Sequence, residues 1–249
     1  SVVDTDDLDR RPITSVSGVL QGKAAGVQVL QPNGAPGSGM VIRVRGASSI
    51  ASSNDPLYVV DGVPVGEGEY AIAYLSPNDI ESMQVLKDAS SAAISGSRAA
   101  HGVVLITTKQ GSKKDGAQVA FSTFVGVSNV TKTFDVLNTQ QYIELQEEIG
   151  LIKGLPTTLR DQTDWFDKTY STGVNQNYQF SLSDGDEKGS YYVGGGYTKE
   201  KGVINTTSAE RFNVKVNFDR KIRKWLTASA SVAYSHYTNK GGIISGQGG

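Results

Sequence analysis

The sequence has no cysteine and only two histidines in 249 residues. The missing thiols exclude disulfides, thiolate metal sites and a cysteine nucleophile. The histidines, His101 and His236, are far apart in the chain, so a histidine-based metal site would need further ligands from elsewhere. No stretch approaches the roughly 18 consecutive apolar residues of a membrane-spanning helix. The net charge of -1 gives no electrostatic reason to expect a nucleic-acid partner.

Aromatic residues are scarce in the first part of the chain. Only Tyr58, Tyr70 and Tyr74 precede residue 116, and all seven phenylalanines and both tryptophans follow it. The polar, glycine-bearing stretch KQGSKKDGAQ at 109–118 lies at this change of composition. We therefore predict a domain boundary there, with one domain in residues 1–115 and another in residues 116–249.

The first part combines short β-branched runs with alanine-rich segments. The runs have the length of strands and the alanine-rich segments favour helices, which predicts a small α+β domain. Strands are predicted at 26–31, 40–46, 57–62, 80–87 and 102–109, and helices at 15–26 and 88–100.

The second part alternates apolar and polar residues with a period of two. In RFNVKVNFDRK, the apolar positions are Phe212, Val214, Val216 and Phe218, and the positions between them are polar. Similar patterns at 119–128, 177–185, 190–199 and 225–237 predict five strands in all. Strand length of about ten residues suits a transmembrane β-barrel, although a soluble β-sandwich has the same periodicity.

The links between these strands alternate in length. Short turns are predicted at 184–188 and 220–224, a longer loop at 200–207 and an insertion at 129–173. The insertion includes a helix near 139–150 that begins with a capping box. Such alternation is typical of a transmembrane barrel, but five strands are too few to close one. The barrel interpretation therefore implies that the chain is truncated.

The stretch DPLYVVDGVP, 55–64, places an acidic residue, Asp61, directly after an apolar strand. A carboxylate at this position is compatible with a catalytic acid, a metal ligand or a turn. An Asp-Gly pair after a strand is a common turn, because Gly62 adopts positive φ without strain. No nucleophile, acid–base pair or metal-ligand spacing accompanies it, so we expect no enzyme activity and no cofactor.

Several long blocks carry a specific resemblance. LQGKAAGVQVLQPNGAPGSGMVIRVRGASSI, NDPLYVVDGVPV and LSPNDIESMQVLKDASSAAISGSRAAHGVVLITTKQG resemble, in order and spacing, the plug domain of SusC/RagA-type TonB-linked outer-membrane transporters. The resemblance covers roughly residues 13–112, and the strands from 117 to 237 look like the first barrel strands of that family. It implies an α+β plug domain followed by the N-terminal antiparallel strands of a transmembrane barrel of about 22 strands.

The resemblance also implies a function and partners. The expected activity is TonB-dependent import of an oligosaccharide or peptide across the bacterial outer membrane, with a SusD-like surface lipoprotein as partner. TonB, with ExbB and ExbD, would act on an N-terminal segment that precedes Ser1. The alternative is a structural or interaction component of a surface complex without uptake of its own, and a third possibility is a soluble α+β binding domain.

The same resemblance leads us to predict how the plug is held. We expect charged plug residues to contact the inner barrel wall, because hydrated polar contacts hold a plug while leaving it movable. The candidates are Arg43, Arg45, Asp61, Lys87 and Arg98. On the barrel, Phe212, Val214, Val216 and Phe218 should face lipid, and the insertion at 129–173 should be extracellular.

Overall fold

The computed structural model describes residues 2–4, 15–31, 33–44, 55–86, 101–111, 116–151 and 163–241. Within these ranges the chain forms two five-stranded sheets and one two-stranded sheet. We name the five-stranded sheet that precedes residue 109 the first sheet, and the one that follows residue 117 the second sheet.

The first sheet has the strand order β1-β6-β7-β4-β5. Strands β4 and β7 are parallel, and the other neighbours are antiparallel. Strands β2 and β3 pair with each other as the two-stranded sheet. In chain order these strands are β1 (Val2–Asp4), β2 (Val27–Leu30), β3 (Val41–Val44), β4 (Leu57–Val60), β5 (Val63–Glu67), β6 (Ile80–Leu86) and β7 (Val103–Thr108).

All five strands predicted in this part are present, and the predicted ends that lie in the described residues move by at most two residues. Strand β5 is missing from the prediction, because Pro64 and Gly66 argue against a strand. It is tolerated because β5 lies at the edge of the sheet. The helix predicted at 15–26 is wrong: only Ser17–Leu20 forms a single 3-10 turn. Gly22 and Gly26 follow with φ of 73° and 66°, which no α-helix accommodates. The helix predicted at 88–100 lies outside the described residues.

Two clusters of buried apolar side chains form the core of this part. Each consists of residues between Val16 and Ile106, and among the described residues neither includes a side chain of the second sheet. Tyr58, Leu20 and Met83 are at most 1% exposed. Fully burying a large apolar side chain stabilises a fold by roughly 1.5–3 kcal/mol. The described apolar core of the first sheet is therefore shared with β3 and with the turn Ser17–Leu20, and not with the second sheet.

The second sheet is antiparallel throughout, in the order β12-β11-β10-β9-β8. Each strand pairs with its neighbour in sequence, as in a meander. The strands are β8 (Gln118–Ser128), β9 (Gly173–Gly185), β10 (Gly189–Lys201), β11 (Ser208–Arg223) and β12 (Leu226–Lys240).

Strand β11 shows the alternation most clearly. On one face Phe212 and Phe218 are 45% and 44% exposed, whereas Lys215 on the other face is 3% exposed. The short turn predicted at 220–224 is present but lies at 224–225, because β11 continues to Arg223 and β12 begins at Leu226. The charged run there resembles a turn, but an exposed strand end accommodates charged side chains.

The long connection between β8 and β9 contains helix α1 (Thr139–Glu148) and helix α2 (Trp165–Thr169). The predicted capping box is present: Asn138 and Gln141 exchange side-chain to backbone hydrogen bonds at the start of α1. The buried residue of α1 is Ile143. Neither α-helix of the described residues, ten and five residues long, could span a bilayer.

Candidate functional site

The polar face of the second sheet lies against the first sheet. A set of polar side chains joins the two, and we name it the polar interface. From the first sheet and its adjoining turns it takes Asp61, Asp79 and Thr108, and from the second sheet Tyr192, Asn213, Lys215 and Asn217.

Asp61 reaches the polar interface from the turn between β4 and β5. Asp61 and Gly62 have φ of 49° and 84°, so both residues take the left-handed conformation that reverses the chain. The Asp61 carboxylate accepts hydrogen bonds from the Thr108 backbone N–H at 2.8 Å and from its hydroxyl at 2.6 Å. The same carboxylate accepts from Lys215 Nζ at 3.4 Å. It therefore closes the turn against β7 and also contacts the second sheet.

Asp79 is the more deeply buried carboxylate, at 4% exposed. It ends a 3-10 turn, Pro77–Asp79, whose N-terminus is capped by the Ser76 side chain. Its oxygens accept hydrogen bonds from the Tyr192 hydroxyl at 2.9 Å and from Asn213 Nδ2 at 3.2 Å. Burial raises the pKa of Asp79, and the Tyr192 hydrogen bond and the positive charge of Lys215 oppose that rise.

A glycine on β10 makes room for Asp79. A Cβ atom at Gly194 would lie 2.5 Å from Asp79 Oδ1 and 2.8 Å from the Tyr192 hydroxyl. Gly195 points to the opposite face, where a Cβ would meet no atom closer than 4.0 Å. The glycine run of β10, which weakens the strand pattern in the sequence, is thus required on one face by the close approach of the first sheet.

Asn217 connects three strands through its amide. Its Nδ2 donates to Thr108 Oγ1 at 3.2 Å and to the Lys109 carbonyl at 2.7 Å, and its Oδ1 accepts from Ser231 Oγ at 2.7 Å. The polar interface therefore runs from β7 across β11 to β12.

The charges of the interface are complementary. The inward positions of β11 place Arg211 and Lys215 on either side of Asn213, and both cations act on the Asp79 carboxylate. The Lys215 side chain is 4% exposed and the Asp61 side chain 24%. Hydrogen bonds to charged groups contribute about 1.5–3 kcal/mol each, but desolvation offsets much of a buried ion pair. The interface thus fixes the relative position of the sheets more than it stabilises them.

A second contact lies near the other end of the second sheet. The backbone N–H of Gly37, in the loop before β3, donates to Glu200 Oε2 at 2.9 Å, and the Tyr237 hydroxyl donates to the Gly37 carbonyl at 2.9 Å. A cavity of about 620 Å³ adjoins this contact and is lined by both sheets. Glu69, whose pKa burial raises, lines the cavity and accepts a hydrogen bond from Ser17.

The residues predicted as plug–barrel contacts lie in different places. Asp61 lies at the polar interface, as described. Arg43 lies on β3 opposite Gln28 and forms no ion pair with the second sheet within the described ranges. Arg45, Lys87 and Arg98 lie outside the described residues.

The residues predicted to face lipid lie on the side of β11 away from the first sheet. Phe212, Val216 and Phe218 are 45%, 37% and 44% exposed, and Val214 shares their face. Asp79 and Tyr192, a buried pair within the polar interface, are missing from the prediction. Asp79 and Tyr192 are 113 positions apart. Only the glycine run beside Tyr192 hints at a close approach.

Comparisons with known proteins agree with this architecture. Residues 1–103 match the family model of the TonB-dependent receptor plug domain. The chain is 36% identical over 252 residues to TonB-dependent receptor SusC of Bacteroides thetaiotaomicron, which covers 97% of this chain and 25% of SusC. It is 35% identical over 253 residues to TonB-dependent receptor P26 of Formosa agariphila, covering 98% of this chain and 25% of that protein.

Solved structures share the fold. The RagAB peptide importer in its closed-closed state superposes with a TM-score of 0.87 at 25% identity, over 98% of this chain and 31% of the matched chain. The siderophore receptor PirA of Pseudomonas aeruginosa superposes with a TM-score of 0.60 at 19% identity, over 96% of this chain and 35% of that one. The second match supports the fold alone.

The chain spans about a quarter of the length of the curated relatives it matches. Within that span the fold, the plug-domain match and the relatives agree on one assignment. Residues 1–103 match the TonB-dependent receptor plug domain, and the chain as a whole is similar to SusC/RagA-type TonB-dependent receptors over that domain and the neighbouring antiparallel barrel strands.

Proposed function

We propose that the full-length protein imports a large nutrient, an oligosaccharide or a peptide, across the bacterial outer membrane by TonB-dependent transport. The observation that carries this proposal is the nature of the contact between the two sheets. Among the described residues, the apolar clusters consist of side chains between Val16 and Ile106, while Asp61, Asp79 and Thr108 contact the second sheet through hydrogen bonds and through the ion pair of Asp61 with Lys215. A plug domain that closes a pore and must later move needs a contact of this kind, because polar contacts hold it in place with modest net strength.

The geometry also supports an orientation. Only nine residues of sequence separate the end of β7 from the start of β8, so we place the start of β8 on the periplasmic side. Residues 129–172 and 202–207 are then extracellular, and the short turns at 186–188 and 224–225 periplasmic. Short periplasmic turns and longer extracellular loops are the rule for outer-membrane barrels.

The partners follow from the family. A SusD-like surface lipoprotein would cover the extracellular mouth, and TonB with ExbB and ExbD would supply the pull on the plug domain. The support for the lipoprotein is the likeness to SusC and to RagAB.

The proposal is tested by uptake into cells that carry the full-length protein. Fluorescently labelled pools of peptides and of oligosaccharides are offered with and without a protonophore, and with and without TonB. We expect one pool to accumulate only when both the proton-motive force and TonB are present. Accumulation that ignores both would contradict the proposal. A protein that assembles with its lipoprotein but accumulates neither pool would instead be a structural component of a surface complex.

A further inference from the structure

The second sheet binds the main chain of one residue of the loop before β3. Both polar groups of the Gly37 backbone form hydrogen bonds with the second sheet. The Gly37 N–H donates to Glu200 on β10, and the Tyr237 hydroxyl on β12 donates to the Gly37 carbonyl, each at 2.9 Å. Strands β10 and β12 thus present an acceptor and a donor at the separation of one residue's N–H and C=O groups. These groups occur at every non-proline residue of a peptide.

The surface between Glu200 and Tyr237 is shaped for a residue without a side chain. Ala209 of β11 lies there, and a Cβ at Gly37 would be 2.7 Å from the Ala209 Cβ and would clash with the Tyr237 hydroxyl. The preceding Pro36 packs over Gly202, where a Cβ would lie 2.9 Å from Pro36 Cγ. The site therefore accommodates a proline followed by a glycine.

We propose that Glu200, Ala209 and Tyr237 form a peptide-binding subsite, which the loop 33–39 occupies as an internal ligand. The external ligand is a peptide main chain with a small residue after proline. This inference rests on the proposed import function and narrows its substrate to peptides.

The cavity next to the subsite could hold the rest of such a peptide. Its volume is about 620 Å³, and its lining includes the loop residues Gly37 and Met40 as well as Glu200 and Tyr237. Tyr70, at the rim of the cavity, is 96% exposed and offers an aromatic ring to a bound chain. A peptide that displaces the loop would therefore continue from the subsite into this space.

The loop, as an internal ligand, lowers the apparent affinity of the subsite for an external peptide. The peptide binds only the fraction of molecules in which the loop has left, so the apparent affinity falls by that fraction. A change that weakens only the loop must therefore strengthen peptide binding. Removing the Tyr237 hydroxyl weakens both competitors, so its effect is visible only when the loop is already displaced.

The full-length protein, purified in detergent, is titrated with a fluorescent Ala-Pro-Gly-Ala peptide and its anisotropy is followed. Gly37→Ala should bind about tenfold more tightly than the parent protein, because the loop no longer competes. Gly34→Ala is the matched control in the same loop, since a Cβ there meets no atom within 4 Å. Adding Tyr237→Phe to Gly37→Ala should abolish the gain.

A second measurement does not depend on Gly37→Ala folding. In a protein without other cysteines, Ser38→Cys should react with maleimide faster when the peptide is added, because the loop is displaced. Equal affinities of Gly37→Ala and Gly34→Ala, or an unchanged labelling rate, would overturn the inference. The inference would also be overturned if a labelled maltooligosaccharide gave the same gain in affinity with Gly37→Ala and the same faster labelling of Ser38→Cys as the peptide. Binding in detergent needs neither TonB nor an energised membrane, so failure of import and failure of the subsite are distinguishable.

Discussion

At the scale of single residues, Asp79 is a carboxyl group whose charged form is disfavoured by burial. We call the arrangement in which the first sheet lies against the second sheet the docked state. In the docked state the pKa of Asp79 is raised, chiefly by burial. For an acid with a raised pKa, the docked state gains stability as the pH falls. The gain is complete below the ordinary pKa of about 3.9 and is lost as the pH rises through the higher docked value.

Asp79→Asn should therefore remove part of the pH dependence of docking. In the parent protein we expect the urea midpoint for release of the first sheet to rise as the pH is lowered from neutral towards the raised pKa. In Asp79→Asn this rise should be smaller. Release is followed by labelling of a cysteine placed at Ser183, on the inward face of β9. Identical pH profiles for the two proteins would show that Asp79 is not desolvated by docking.

Gly194→Ala tests the close approach of the two sheets. The added Cβ would lie 2.5 Å from Asp79 Oδ1, so the carboxylate must move and lose its bonds from Tyr192 and Asn213. We expect the urea midpoint for release to fall, by the equivalent of roughly 1–3 kcal/mol. Gly195→Ala is the matched control, because its Cβ meets open space. Equal midpoints for the two variants would refute the account of the glycine run.

The sequence predicts Asp61 as a turn residue and a contact with the barrel, but it does not predict the partner of Asp61. The Asp-Gly turn can be recognised from the sequence, because both residues adopt positive φ readily. That Lys215, 154 positions later, meets the carboxylate depends on how one sheet docks on another. The same limit applies to Asp79, which the sequence shows only as a polar residue before a strand.

At the scale of elements, strand β11 has two faces of opposite character. Its inward positions carry Asn213, Lys215 and Asn217, each at most 3% exposed. The alternation alone predicts this division, because a strand has a period of two. The sequence predicts strand ends less well, since the charged residues before Trp225 are compatible with either strand or turn.

Val214→Lys should destabilise the barrel from the lipid-facing side. A lysine near the middle of the membrane on the outer face of a barrel costs about 2–4 kcal/mol. Val214→Leu keeps the face apolar and serves as the control at the same position. The measurement is the yield of folded protein in lipid vesicles and its urea midpoint. If Val214→Lys matches Val214→Leu in both, Val214 does not face lipid.

At the scale of the whole molecule, two sheets with different means of stabilisation meet at a polar surface. The first packs with β3 and the turn Ser17–Leu20 in an apolar core, and the second is held by strand pairing from β8 to β12. The long sequence blocks predict both units through the family resemblance. How they dock follows from complementary charges, which the sequence does not pair, and from a close backbone approach, for which the glycine run of β10 is the one signal in the sequence.

If the protein imports as proposed, the first sheet must leave the polar interface when the substrate passes. Asp79→Cys with Gly194→Cys places two thiols where a Cβ and a carboxylate oxygen would approach to 2.5 Å, so oxidation should lock the sheets together. Val193→Cys with Val216→Cys, a cross-strand pair within the second sheet, is the control.

The most direct measurement is substrate accumulation in cells that carry the full-length protein with the Asp79–Gly194 cysteine pair, before and after reduction. We predict that the oxidised pair blocks accumulation, that reduction restores it, and that the control pair transports in both states. Equal accumulation by the oxidised and reduced forms of the Asp79–Gly194 cysteine pair, with the disulfide verified by mass, would show that import does not require the first sheet to leave the polar interface.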